Sequence, residues 1–284
     1  MNSLRFITLI YSIGIFGQSK IDESHYKVFQ PDAKSLKYNE IYTQNFFFGN
    51  FGLKQLISAV PIDNSSVKSL EISVNTPTQK NLPIMQLHYD EQGKLMQMQI
   101  EEAFFGEKMN IEYHYKDELL SEEIITQNSG TKKNTFYYTK GKMVIETDKD
   151  VLDVYSLHGK VLSKMSYLDG NLVLLDRMEG KCRITYYKRH SISKTCFSNL
   201  DLKLPLNIEE YSNNEDKNGK LSLTQTKNSS LSKKSEFEYA VFINNRETYQ
   251  LNLTEDYRIK TFHSLPVNPK KENQINYTFT YTYY

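Results

Sequence analysis

From residue 82 to about 200, apolar and polar side chains change places at every second position, and no stretch sustains a 3.6-residue period. In NIEYHY, Ile111, Tyr113 and Tyr115 fall on one face and Asn110, Glu112 and His114 on the other. LMQMQI reads in the same way, with Met96, Met98 and Ile100 opposed to Leu95, Gln97 and Gln99. Period-two alternation is the mark of a half-buried strand, whose successive side chains point to opposite faces. Between the strand-like runs stand Gln92-Gly93, Lys140-Gly141, His158-Gly159, Asp169-Gly170 and Glu179-Gly180, with Asn128-Ser129-Gly130 as a slightly longer version. Glycine accepts the positive φ that a two-residue hairpin turn requires, so each site predicts a reversal of the chain.

The turns sit inside a repeat. YDEQGKL at 89–95 returns as YHYKDEL at 113–119, YYTKGKM at 137–143 and YSLHGKV at 155–161, and Tyr167 opens a shortened copy, YLDGNL. Tyr89, Tyr113 and Tyr137 are 24 residues apart and Tyr155 follows after 18. A period of this size describes a supersecondary unit stacked on itself. Each unit fits strand, tight turn, strand, with the tyrosine entering and the aliphatic residue leaving. Those two can meet as a cross-strand pair contributing about 0.2–1 kcal/mol. The fold class predicted is all-β, an extended antiparallel meander of tandem β-hairpins.

Four segments divide the chain. Residues 1–17 carry Arg5, an apolar run from Phe6 to Phe16 and then Gly17, the layout of a secretory signal peptide. Residues 18–80 lack the repeat and form an N-terminal β-rich segment. It holds FFFGNFG at 46–52, then GLKQLISAV, which fits a short helix or a strand, and VKSLEISV at 67–74, a strand. Residues 81–200 hold the repeats. In 201–284 the repeat degrades: SNNEDKNGK at 212–220 and SSLSKKS at 229–235 read as polar loops between strands, Asn244-Asn245 as a turn, and NYTFTYTYY closes the chain.

Tyr89, Asp90, Gly93, Lys94 and Leu95 match, residue for residue, the unit of the YD-repeat (Rhs-type) family, which the chain resembles over about 87–200. Gly141-Lys142-Met143 and Gly159-Lys160-Val161 keep most of the unit and lose the Asp. The stretch YSLHGKVLSKMSYLDGNLVLL at 155–175 also looks like the short MORN-type repeats of exported bacterial proteins. Both resemblances imply hairpin meanders in an exported or surface-displayed scaffold, often one that binds or makes cell contact. The chain is too short for the closed shell that such repeats build around a toxin, and no toxin module follows.

Composition narrows the function. A net charge of +1 without charge blocks argues against nucleic acid, which needs a concentrated basic face. The 21 Tyr and 15 Phe, with no Trp, suit strands. Cys182 and Cys196 bracket a hairpin that folds about Arg189, which sets them opposite each other; they are either a disulfide or two separate thiols, since a one-residue slip would part them. None of the six histidines completes a metal site: His88 and His114 share a sheet face but lack further ligands. There is no HExxH, GxSxG, P-loop or GxGxxG, and adjacent acids such as Glu101-Glu102 point to opposite faces of a strand. No catalytic residue, cofactor or metal is therefore expected.

The candidate binding element is the strip Tyr277, Phe279, Tyr281 and Tyr283, about 20 Å long at roughly 3.3 Å per residue. Exposed, it would stack on sugar rings or dock a protein; buried, it is the core face of a closing strand. The functional expectation is an exported, non-enzymatic β-scaffold or binding module, secreted, periplasmic or at the cell surface, whose partner is a protein or a carbohydrate. Two alternatives stand beside it: a secreted enzyme whose site is assembled from loops in 18–80 and 200–284, and a small outer-membrane β-barrel. Against the barrel stand the ionised residues of EYHY, KSLEISV and EEIIT, where a lipid-facing strand needs a clean apolar face.

Overall fold

The computed structural model describes residues 34–35, 38, 46–102, 106–139, 141–147, 151–188, 190–215, 219–266 and 274–284; the predicted signal peptide lies outside them. The first nine strands are β1 (Val67–Asn75), β2 (Leu82–Tyr89), β3 (Leu95–Ile100), β4 (Met109–Lys116), β5 (Leu119–Gln127), β6 (Gly130–Thr139), β7 (Lys142–Thr147), β8 (Val151–His158) and β9 (Val161–Leu168). The second nine are β10 (Asn171–Glu179), β11 (Cys182–Tyr187), β12 (His190–Phe197), β13 (Leu206–Glu215), β14 (Leu221–Lys233), β15 (Glu238–Ile243), β16 (Arg246–Leu253), β17 (Ile259–Ser264) and β18 (Ile275–Tyr283). Every pair of consecutive strands is antiparallel, as the alternation predicts.

The ends of the meander then meet. β1 pairs on one side with β2 and on the other with β18, Ile72 lying opposite both Met85 and Phe279. The eighteen strands form a closed ring, a barrel without edges, where the sequence predicts an extended meander. The sheet also runs without a break across the segment boundaries near 80 and 200.

The reversals fall where the glycines do. Gly93, Gly141, Gly159, Gly170 and Gly180 all have positive φ and stand between consecutive strands. The copy that lacks glycine turns on Asp117 and Glu118, at φ 49° and 70°, and Asn244-Asn245 turns β15 into β16 at 49° and 64°. The tyrosines follow the repeat less closely. Tyr89 faces Leu95 and Tyr167 faces Leu172, as the repeat predicts, but Tyr113 faces Glu123, Tyr137 faces Val144 and Tyr155 faces Lys164. The repeat thus encodes the turn and leaves the pairing to the register. In β3 a bulge opposite His88/Tyr89 sends Leu95 inward and Met96 outward, against the plain alternation expected for LMQMQI. The polar stretches 212–215 and 229–233 are strand rather than loop: they end β13 and β14, pairing with Leu221–Thr224 and Tyr239–Ile243.

Paired residues share a face, so the register carries one inner surface round the ring. Over β14–β18 and β1–β7 it is mainly apolar: Ile72, Met98, Ile111, Phe136, Met143, Val241, Leu251 and Phe262 belong to one buried cluster. That cluster also takes in Phe47 and Phe48 of the short helix α1 (Phe46–Gly49), Leu56 and Ile57 of α2 (Lys54–Ile57) and Leu53 just before α2, so GLKQLISAV is helical at its start. Phe47 lies edge-on to Tyr277 at 5.1 Å and Phe48 edge-on to Phe262 at 5.2 Å. Residues 47–57 therefore occupy the lumen, held by aromatic contacts from the inner wall.

Over β8–β13 the inner face becomes mixed, with polar groups among Leu157, Leu162, Leu174, Phe197 and Ile208. The inner face carries Asp153, Ser166, Asp176, Arg183, Thr185, Thr195 and Glu210. The outer face there carries Val154, Met165, Leu175 and Tyr186 in one row and Leu152, Tyr167 and Leu172 in another. Val144 of β7 and Val154 are nearly buried on this outer side, beneath Tyr137, Leu152, Met165 and Tyr167. Elsewhere the outer wall is polar, with Glu71 beside Gln86, Gln97 between His88 and Glu112, and His114 beside Glu122.

Two of the turn glycines differ in what surrounds them. At Gly180 (φ 60°) an added Cβ would meet nothing, whereas at Gly159 (φ 62°) it would stand 2.5 Å from the Leu200 carbonyl oxygen, which accepts from the Lys160 N–H. Gly180→Ala is expected to cost about 1 kcal/mol for the left-handed backbone. Gly159→Ala is expected to cost a further 1–3 kcal/mol, roughly, for displacing the Leu200 loop. Urea unfolding midpoints of the two variants check the difference.

Candidate functional site

Where α2 faces the polar sector of the wall, the lumen keeps a cavity of about 320 Å³. Its lining is cationic: Lys54 from α2, Lys160 and Lys164 from the β8–β9 hairpin, and Arg183 from β11, with Asp176 of β10 as the one carboxylate. Leu162, Leu174 and Leu202 supply the apolar part, and Tyr155 and Thr185 add hydroxyls.

Asp176 is already engaged. Its side chain is 7% exposed, one oxygen accepts from the Lys164 N–H at 2.9 Å and the other from the Thr185 hydroxyl at 2.7 Å. It thereby ties β9 and β11 to β10 and fixes the floor of the cavity. The Lys164 ammonium pairs with Asp153 at 3.3 Å, and the Tyr155 hydroxyl donates to the same carboxylate at 3.4 Å. Burial, reinforced by Asp153, pushes the Tyr155 phenol far above its ordinary value, so it stays a neutral donor. Arg183 donates through Nη1 to the Leu162 carbonyl at 2.9 Å; its Nε lies 3.9 Å from Asp176 and is buried without a hydrogen-bond partner. Burial holds the Lys54 ammonium below the usual lysine value.

These residues come from five elements and two connecting loops between positions 54 and 202, and no local motif joins them. Their signal in the sequence is faint: in VLDVYSL and LLDRM, acids occupy the positions between aliphatic ones, which shows two faces without showing which of them looks inward. Elsewhere in the lumen, Glu123 is buried and accepts from Asn134 Nδ2 at 2.6 Å, while Asn134 Oδ1 accepts from Thr147 at 2.7 Å. Burial raises the Glu123 carboxyl above its ordinary value against the lowering effect of Asn134 and Lys132.

The strip predicted from the C-terminus is divided. Tyr277 and Phe279 are buried on the inner wall against Phe47, and the Tyr281 hydroxyl donates to the Ile259 carbonyl at 2.9 Å. Tyr283 alone stands out, 52% exposed, with the Arg258 guanidinium 4.7 Å above its ring. Tyr277, Phe279 and Tyr281 thus form the core face of the closing strand, because β1 and β17 fix the parity that turns them inward, and Tyr283 lies beyond that face. Cys182 and Cys196 are directly opposed on β11 and β12 and joined by a disulfide on the outer wall; Arg189, about which their hairpin folds, lies outside the described residues. His88 and His114 lie on the polar outer wall. Among the described residues no group of three or more His, Cys, Asp and Glu could hold a metal ion.

No family model matches the chain, so the YD-repeat and MORN likeness remains one of turn sequences. No curated protein matches it either. Among solved structures it is similar to a porin-like protein from Bacteroides uniformis ATCC 8492, at 12% identity and a TM-score of 0.39, over 79% of this chain and 100% of the other. A likeness at that level assigns neither membrane insertion nor transport to the present chain.

Two outcomes follow from this geometry. An acid whose folded-state pKa is raised lends its full stability below its unfolded value of 4.5, and that stability is lost as pH rises through the folded value. Glu123→Gln, which keeps an acceptor for Asn134, is expected to raise the melting temperature near neutral pH and leave it unchanged at about pH 4. Reducing the disulfide frees a loop of sequence separation 14. Cys182→Ser with Cys196→Ser is expected to lower stability by about 3 kcal/mol in denaturant titration.

Proposed function

We propose that the chain is an exported, non-enzymatic barrel of the cell envelope that works in water and binds its ligand inside the lumen. The observation that carries this reading is the direction of the alternation. Over most of the ring the outer wall presents Glu71, His88, Gln97, Glu112 and Glu122, and the inner wall presents the apolar core. A spanning barrel needs the reverse, since a charged side chain facing the bilayer midplane costs about 2–4 kcal/mol. Export is supported by the signal-like N-terminus and accords with the disulfide, a bond of oxidising compartments. With Tyr277 and Phe279 turned into the core, the cavity replaces the aromatic strip as the place where a ligand would sit.

A second reading, an outer-membrane barrel, is favoured by two features: an even number of strands closed into a ring, and the apolar outer sector of β7–β11. Among the described residues no helix is long and apolar enough to cross a membrane, which says nothing about strands. Fractionation of cells producing the full chain tests the choice. Recovery in the soluble envelope or culture fraction is the expected result. Retention in membranes through a carbonate wash, with release only by detergent, would select the second reading instead.

A further inference from the structure

We infer that a second copy of this chain pairs with a free edge of β14, strand to strand across a twofold axis at Leu223, so that two barrels share one continuous sheet. Closure leaves no strand without a neighbour, but β14 outruns one of its two. Its pairing with β15 begins only at Ser229, opposite Ile243, and the Asn244 N–H donates to the Asn228 carbonyl at 2.7 Å where the next turn begins. From Leu221 to Lys227 the strand is paired, among the described residues, with β13 alone. Alternate residues of such an edge aim N–H and C=O groups at solvent, a ready template for another strand. The guards that edges usually carry are missing from LSLTQ at 221–225. It holds no charge and no proline, and it pairs with Tyr211–Glu215 in unbroken register, the bulge falling only at Thr226. Four of its five residues are exposed, Leu221 at 54%.

Symmetry and side-chain chemistry select the occupant. An edge meets its own copy antiparallel across a twofold axis, and the regular stretch Leu221–Gln225 has its midpoint at Leu223. With Leu223 facing the partner's Leu223, Leu221 faces the partner's Gln225 and Ser222 the partner's Thr224. Leu221 and Leu223 share a face, so the leucines of both copies form one row and cover apolar surface that each barrel alone leaves wet. Lys220 comes opposite the partner's Thr226, so no like charges meet along the stretch. The other edge of the same hairpin, Asn213–Glu215, is shorter, carries the Glu215 charge, and has Asn213 Nδ2 donating to the Ser191 carbonyl at 3.0 Å. The contact therefore closes as a dimer rather than growing into a fibre. An edge about 17 Å long buries much less than the roughly 800 Å² per partner of a stable interface. The dimer is accordingly weak, with a Kd on the order of 100 μM.

Sedimentation velocity of the full chain over about 10 to 500 μM tests the pairing. A reversible monomer–dimer equilibrium is the expected result. Leu221→Lys with Gln225→Lys, both at exposed positions, sets like charges opposite each other on both sides of the axis. It is expected to weaken association by about tenfold or more. Leu221→Lys with Gln225→Glu sets opposite charges in the same places and is expected to associate at least as tightly as the unaltered chain. Leu172→Lys, on the apolar outer sector, is expected to leave association unchanged. A chain that stays monomeric throughout the range, equal association of the two double variants, growth beyond a dimer, or loss of association in Leu172→Lys would each overturn the pairing.

Discussion

The pairing of β1 with β18 is the constraint on which the rest depends. It joins segments far apart in the chain, the Ser69 and Thr282 hydroxyls meeting at 2.6 Å across 213 residues. Without it the meander has two free edges, one of them an alternating Thr/Tyr strand, the flat and β-prone kind of edge that recruits other chains. With it, every strand has two neighbours, and the sheet gains an inside and an outside. It also fixes parity, because a ring admits only one assignment of faces once β18 is seated. Contacts of this separation carry the largest loop-closure cost of any strand pairing in the ring.

Closure creates a lumen that must be filled. A ring of eighteen strands is wide enough to leave a water-filled channel unless side chains or an inserted segment take up the space. Here Phe47, Phe48, Leu53 and Leu56 enter from the N-terminal side and meet the apolar arc of the wall. On the other arc, acids, bases and hydroxyls share the inner face with leucines, and the polar groups are satisfied by pairing among themselves, as Asp176 does with Thr185 and Asp153 with Lys164. The cavity beside α2 lies against this arc, where an apolar plug would strand those groups.

How much of this could be read from the chain follows from range. Alternation and turn chemistry are local, so strands such as NIEYHY and the reversals at Gly93, Gly141 and Gly180 are legible residue by residue. The bulge at Leu95 is not, because it depends on how β2 and β3 settle against each other. Polar strand ends such as 212–215 read as loops because a wet outer face looks like a loop when the inner face is also polar. Closure is illegible: the partner of VKSLEISV is at the opposite end of the chain, and nothing in either strand points to the other. The cavity is less legible still, since Lys54 and Arg183 become neighbours only after the ring has closed around α2.

One consequence of strict alternation ties the site to the outer surface. On β8–β11 an inward Asp153, Lys164, Asp176 or Arg183 obliges Val154, Met165, Leu175 and Ile184 to face out, because the same strands supply both sides. A polar cavity and an apolar outer sector are thus two sides of one four-stranded patch. A one-residue slip would turn Asp153, Asp176 and Arg183 outward, and with them Leu162 and Leu174, which line the cavity beside the charges. The observed register keeps both kinds of side chain on the inner face, where the Asp176 network and the Tyr155 hydroxyl on Asp153 satisfy the polar groups.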